Sequence, residues 1–267
     1  MVRGAALSKI ALVTGASKGL GLAVARGLST AGYYVILNAR TRTDLAAALK
    51  TLPGPGVVLA ADAADPQFAE ALGKIMQKEN LPHLDVVVHS AAINHMGTVA
   101  ETKPENAAAT FHANTLSVIS LARAVRAHLE KSRQPRFVFV SSLMKYFAMP
   151  GRSVYAASKA AAEQIVLAWA HELAAEKSLI RVQVFRPAGI NTGFHSNTKT
   201  DGVSPRSDVS RMDADKAAGY LLALVQSNRA ELAPGFMNKV VAFVARHFPA
   251  VSDMLVQRRY LRRRQQT

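Results

Sequence analysis

Six short runs of consecutive apolar, mostly β-branched residues constrain the fold of this 267-residue chain more than any other feature. They are "KIALVT" (9–14), "YYVILN" (33–38), "GVVLAA" (56–61), "LDVVVHS" (84–90), "RFVFVS" (136–141) and "IRVQVFR" (180–186). A strand that is apolar at successive positions has no wet face, so it belongs in a parallel sheet covered by helices on both sides. The intervening segments supply those helices: Gly19 to about Ala31, "TDLAAALKTL" (43–52), "PQFAEALGKIMQKE" (66–79), a long stretch through 104–130 and the alanine-rich run that holds Tyr155. Repeated β-then-α order with right-handed crossovers predicts an α/β protein built on one doubly wound parallel sheet.

No repeat, low-complexity linker or composition break divides the chain, so a single domain is expected. Two stretches leave the rhythm. Residues 188–212 are polar and rich in Gly, Ser, Thr and Asn, a loop long enough to be functional or mobile. After a brief strand candidate at 230–233, residues 235–267 read as two helices split at Pro249, a basic helical extension packed on the core domain 1–234. Their apolar residues, among them Phe236, Val240, Phe243, Val244, Met254 and Leu255, exceed a simple one-face pattern. Packing on the domain, a cover over an apolar pocket and a peripheral membrane contact would each use them.

Composition narrows the chemistry. The chain has no cysteine, which excludes disulfides, iron–sulfur clusters and thiolate zinc and fits a reducing compartment. No apolar run approaches the ~18–20 residues of a membrane-spanning helix. The opening "MVRGAALSKIALVTGA" reads as a first strand rather than a signal peptide, which points to a cytoplasmic protein or one peripheral to an intracellular membrane. The net charge is +15, with Arg258, Arg259, Arg262, Arg263 and Arg264 close together at the end. A solvated terminus and attraction to an anionic membrane or another polyanion both account for that cluster. Nucleic acid is the weaker partner, because only Tyr260 interrupts the arginines as a stacking aromatic.

After the first strand comes "TGASKGLG" (14–21), with glycines at 15, 19 and 21. Between a strand and a helix, glycines let the backbone turn tightly and approach a pyrophosphate at the helix N-terminus. A dinucleotide held by its ribose 2′-hydroxyl needs an acid after the second strand, and "ILNARTR" offers Arg40 instead, with no carboxylate before Asp44. Arg40 and Lys18 together favour a 2′-phosphate, hence NADP(H). Asp62, after the third strand, is placed either to meet the adenine amino group or to begin a helix.

Tyr155 and Lys159 are four residues apart in "SVYAASKAAAEQ" (153–164), one turn along one helical face. A phenol with a pKa near ~10 needs help to move protons at neutral pH, and a neighbouring ammonium would lower it. Ser142 ends the fifth strand close enough in sequence to reach the tyrosine. Asn114 interrupts the long fourth helix, where its side chain or a distorted backbone would hold a water.

Together "TGASKGLG", Asn114, Ser142 and "YAASK" resemble the short-chain dehydrogenase/reductase family over about residues 8–234, which implies a Rossmann-type fold. By that resemblance Tyr155 is the general acid/base, Lys159 binds the nicotinamide ribose and lowers the tyrosine pKa, Ser142 orients the substrate oxygen and Asn114 supports a water relay. Gly15, Ser17, Lys18, Gly19, Leu20, Arg40, Asp62, Ala91, Tyr155, Lys159, Pro187, Ile190 and Thr192 fall where the family contacts its cofactor. Two motifs depart from the family pattern: His89-Ser90-Ala91-Ala92 stands for Asn-Asn-Ala-Gly, and Pro187-Ala188 for Pro-Gly. The resemblance also implies a homodimer or homotetramer.

The expected activity is NADP(H)-dependent interconversion of a carbonyl and a secondary alcohol. A non-catalytic NADP(H)-sensing or membrane-associated protein on the same fold is the alternative. His95, Met96, Phe147, Met149 and Phe194 lie after strand C-termini, and their apolar content favours a lipophilic small-molecule substrate. His95 and His195 lack a third partner at ligand spacing, so no metal is expected.

Overall fold

The computed structural model describes residues 9–192, 198–202 and 212–264. The elements run β1 (Ile10–Thr14), α1 (Gly19–Thr30), β2 (Tyr34–Ala39), α2 (Arg42–Leu49), β3 (Gly56–Ala60), α3 (Phe68–Lys78), β4 (Val86–His89) and β5 (His95–Gly97). They continue through α4 (Pro104–Phe111), α5 (Ser117–Leu129), β6 (Arg136–Val140), α6 (Ser153–Ala175), β7 (Arg181–Phe185), β8 (Ile190–Asn191) and β9 (Lys199–Asp201). The last are β10 (Met212–Asp213), α7 (Ala214–Val225), β11 (Glu231–Leu232), α8 (Phe236–His247) and α9 (Pro249–Arg264).

Seven strands form one parallel sheet in the order β11-β7-β6-β4-β1-β2-β3. The apolar runs read from sequence are buried on both faces because each strand feeds two cores in alternation. Ile10, Leu12, Val87, Phe137 and Phe139 face α3, α5 and α6, where Leu72, Leu121, Val166 and Trp169 wait. Ala11, Val13, Val86, Val88 and Val138 face α1, α2 and α7, against Val24, Leu28, Leu45 and Leu221. The sheet therefore has the doubly wound architecture expected, including the short edge strand β11.

The chain winds outward in opposite directions from β1 and β4, which lie side by side. At such a switch point the loops at the strand C-termini diverge and leave a crevice. A cavity of about 1910 Å³ occupies it, lined by residues that follow β1, β2, β3, β4, β6 and β7.

The structure refines two sequence expectations. The helix through 104–130 is broken into α4 and α5 by a π-helical segment, His112–Leu116, so the interruption at Asn114 is a backbone widening rather than a gap. The polar stretch 188–212 carries short pairings that leave no periodicity to read: β8 with β10, and β9 with β5. Phe194 and His195 lie outside the described residues.

Candidate active site

The glycine loop needs its glycines for space as well as for torsion. Gly15 and Gly19 have φ of +67° and +57°, in the left-handed region. A Cβ on Gly21 would stand 2.2 Å from the Gly15 carbonyl oxygen, and one on Gly15 would stand 2.9 Å from Ala91. Close packing of loop on helix thus fixes the N-terminus of α1, where no side chain caps the free N–H groups. Gly15, Ser17, Lys18, Gly19 and Leu20 line the cavity there. Arg40, Asp62 and Ala91 line the same end, and Pro187, Ile190 and Thr192 line it further along. Asp62 does not cap a helix; its carboxylate closes a turn by accepting from the Ala64 N–H at 3.0 Å, well before α3 begins.

Neither motif departure strains the backbone, since Ala92 and Ala188 both avoid positive φ. His89 does more than fill its place. The Ala91 N–H donates to Thr14 Oγ1 (3.1 Å), and Thr14 Oγ1–H donates to His89 Nδ1 (2.8 Å). On the other side Ser117 Oγ–H donates to the Ala113 carbonyl (2.7 Å), which leaves Ser117 Oγ to accept from His89 Nε2–H (3.0 Å). The imidazole is therefore the neutral Nε2–H tautomer, tying β1, the end of β4 and the start of α5 together. Burial, aided by the Lys159 charge, pushes its pKa down to about 3.

Ser142, Tyr155 and Lys159 all line the cavity, Ser142 from the end of β6 and the other two from the first turns of α6. Ser142 hydrogen-bonds Tyr155, and its Oγ also accepts from the Met144 N–H, starting a single 3₁₀ turn at Leu143–Tyr146.

Two residues differ from expectation. Tyr155 lies above, not below, the usual phenol value, because burial outweighs the groups that oppose it. Lys159 Nζ donates to the Val140 carbonyl at 3.0 Å and lies over the Phe139 ring. Burial raises Tyr155 to about 12 against the opposing effects of Ser142 and Arg152, and lowers Lys159 to about 8. Asn114 is not on the cavity wall. Its carboxamide accepts from the Ile93 N–H (2.8 Å) and donates to the Ile93 carbonyl (3.0 Å) and to Ser158 Oγ (3.0 Å). That side chain is a clamp between the loop after β4 and α6.

Met96, Phe147 and Met149 line the apolar part of the cavity, joined by Val240, Val244 and Leu255 from the C-terminal helices. His95 does not. It is buried against Asp201, Nε2 to Oδ2 at 2.8 Å, and helps hold β9 to β5.

Glu163 belongs to no recognisable motif, although it continues the Tyr155–Lys159 spacing by one more turn. Fully buried, it accepts from Ser141, from Lys145 and from both Arg186 Nε (2.9 Å) and Nη2 (2.7 Å). Burial alone would raise its pKa, but these bonds hold it below the usual carboxylate value. The hub joins α6 to the ends of β6 and β7, beside Ser142 and Pro187.

A dinucleotide-fold crevice with a tyrosine, a serine and a lysine on one wall defines an oxidoreductase architecture. The family model described as short chain dehydrogenase matches residues 9–202, and the chain belongs to that family. It is 30% identical over 201 residues to bovine dehydrogenase/reductase SDR family member 7B, covering 72% of this chain and 61% of that protein. Bovine 3-oxoacyl-[acyl-carrier-protein] reductase is 29% identical over 220 residues, 81% of this chain and 92% of its own. A short-chain dehydrogenase from Burkholderia cenocepacia J2315, solved in complex with NADP, superposes with a TM-score of 0.71 at 25% identity over 85% of this chain and 96% of that one.

Proposed function

We propose that this protein is an NADP(H)-dependent oxidoreductase interconverting a carbonyl and a secondary alcohol, with Tyr155 as general acid/base. The observation that most supports this is the seating of Ser142, Tyr155 and Lys159 on the wall of the same cavity that starts at the glycine cradle.

The cradle suits a pyrophosphate, because any Cβ at Gly15, Gly19 or Gly21 would fill it or displace its wall. Lys18 and Arg40 are exposed at the same end and would hold a 2′-phosphate. Asp62 and Ala91 would flank the adenosine half, Pro187, Ile190 and Thr192 the nicotinamide carboxamide, and Lys159 the nicotinamide ribose. The Burkholderia relative's NADP supports that choice of cofactor. When bound, the reduced cofactor supplies the hydride.

Ser142 then orients the substrate oxygen, and Tyr155 donates its phenolic proton to that oxygen in reduction and takes it back in oxidation. Asn114 and His89 act as positioning residues, since each spends its polar atoms on neighbouring protein groups. The apolar wall of Met96, Phe147 and Met149 favours a lipophilic carbonyl; the bovine relative named above is a reductase of a 3-oxoacyl group. A homodimer or homotetramer pairing through α5 and α6 completes the reading.

The test is NADPH consumption across a panel of lipophilic carbonyls by the wild-type protein and by Tyr155→Phe. Turnover by the first and its near-loss in the second is expected. Equal rates would remove the mechanism, and cofactor binding with no turnover on any carbonyl would leave the non-catalytic, NADP(H)-sensing alternative.

A further inference from the structure

The C-terminal helices α8 and α9 present an outward apolar face that no other part of the described chain covers. Phe236 is 80% exposed, Met237 68% and Phe243 57%, with Phe248, Met254 and Leu255 also exposed. On α8 the exposed Phe236, Val240 and Phe243 follow each other at four and three residues, which puts them on one stripe. Phe243 packs on both Phe248 and His247, so the aromatic part of the face is a connected surface and not a scatter of single side chains. Scattered exposed apolar residues are ordinary; a contiguous face of this kind marks an interaction site.

Two further observations say what covers it. Residues 236–267 carry seven Lys and Arg against a single acid, Asp253, within a chain of net charge +15. A second copy docked by this face would bring two such basic segments together, whereas an anionic surface would neutralise both apolar exposure and charge. In addition, Val240 and Leu255, one from each helix, are exposed and also line the cavity. The cavity wall therefore reaches α8 and α9, the two helices that carry the apolar face.

We propose that the α8–α9 face docks on an anionic lipid surface, and that a substrate dissolved in the lipid enters the cavity past Val240 and Leu255. No helix among the described residues is long and apolar enough to cross a membrane, so the contact is one of lying on the surface. The exposed Lys239, Arg246 and Arg258 flank the apolar stripes and suit lipid headgroups. The entry route rests on the reductase reading above; the docking does not.

The test is co-sedimentation of the full chain with vesicles of phosphatidylcholine alone and of phosphatidylcholine with about 30% phosphatidylserine. Binding to the anionic vesicles, weakened by salt, is expected. Phe236→Ser combined with Phe243→Ser, neither of which lines the cavity, should lower that binding at least about tenfold. The same variant should keep its turnover of a water-soluble ketone while its apparent KM for a vesicle-borne ketone rises about tenfold. Circular dichroism and NADPH binding verify that the variant is folded. Equal sedimentation of wild type and variant would overturn the docking, as would equal affinity for neutral and anionic vesicles. Conversion of a vesicle-free dimer to a monomer by the variant, with vesicle binding unchanged, would also overturn it and assign the face to a second copy. Unchanged KM values on both ketones would overturn the entry route alone, and the sedimentation result stands whether or not any ketone is turned over.

Discussion

Lys159 Nζ donates to the Val140 carbonyl at 3.0 Å, so the ammonium one turn from Tyr155 is tied to the end of β6 and not to the phenol. The two groups are neighbours on α6, but burial acts on both more strongly than they act on each other: Tyr155 rises to about 12 and Lys159 falls to about 8. Removing a group from water disfavours its charged form, whichever sign that charge has.

The pH dependence of the two reaction directions should therefore differ. In the mechanism proposed above, carbonyl reduction uses the protonated phenol, which persists far above neutrality, so its rate should be flat with respect to Tyr155 between about pH 6 and pH 8. Alcohol oxidation uses the phenolate and should climb by close to about tenfold per pH unit over that range. Paired pH profiles check this. A reduction rate that halves near neutrality, with the inflection absent from Ser142→Ala, would contradict it.

Arg40 and Lys18 stand exposed on the crevice wall at its glycine-loop end. Arg40→Ala should weaken NADPH binding by about tenfold and change NADH binding by less than about twofold, with Lys18→Ala having a smaller effect in the same direction. Calorimetric titration of each variant with both dinucleotides is the measurement, and equal loss for the two would argue against a 2′-phosphate contact.

Glu163 is the acceptor that neutralises Arg186 and Lys145 inside the protein. Glu163→Gln keeps the shape but leaves Arg186 with Glu231 as its remaining carboxylate partner. Breaking a buried pair in this way costs about 3–5 kcal/mol, so a fall in denaturation midpoint by several degrees is expected. Because the hub spans β6, β7 and α6, catalytic turnover should fall together with stability. A variant as stable as wild type would show that the network is redundant.

His89 predicts a loss of stability in mild acid. Its folded pKa, about 3, lies below the unfolded value near 6.5. The unfolded chain therefore binds a proton first, and the contribution of His89 is complete above about pH 6.5 and declines as pH falls toward 3. His89→Asn, which can keep the hydrogen bond from Thr14 without titrating, should flatten the curve of stability against pH between about 6.5 and 4. Denaturant melts at a series of pH values would detect this, and parallel curves for the two proteins would assign the acid sensitivity elsewhere.

Much of the architecture can be read from the linear pattern because its causes are local. Consecutive apolar residues demand a sheet with two covered faces, and the two cores on opposite sides of β1, β4 and β6 meet that demand. The structure seats Gly15, Gly19, Gly21, Ser142, Tyr155 and Lys159 on the wall of one cavity, since helix and strand periodicity set where those side chains emerge. The short pairings β8–β10 and β5–β9 are invisible in the sequence because strands of two or three residues carry no period.

What the tertiary structure decided is where each polar group spends its bonds. Only the folded chain aims Lys159 at a carbonyl, commits the Asn114 carboxamide to Ile93 and Ser158, and makes His89 a neutral link between Thr14 and Ser117. Only it reveals Glu163 as a hub, because the partners converge from α6, β7 and the turn after β6. The physical reason is range: backbone preference acts over a few residues, whereas burial and hydrogen-bond satisfaction depend on segments brought together from 18 to 106 positions away.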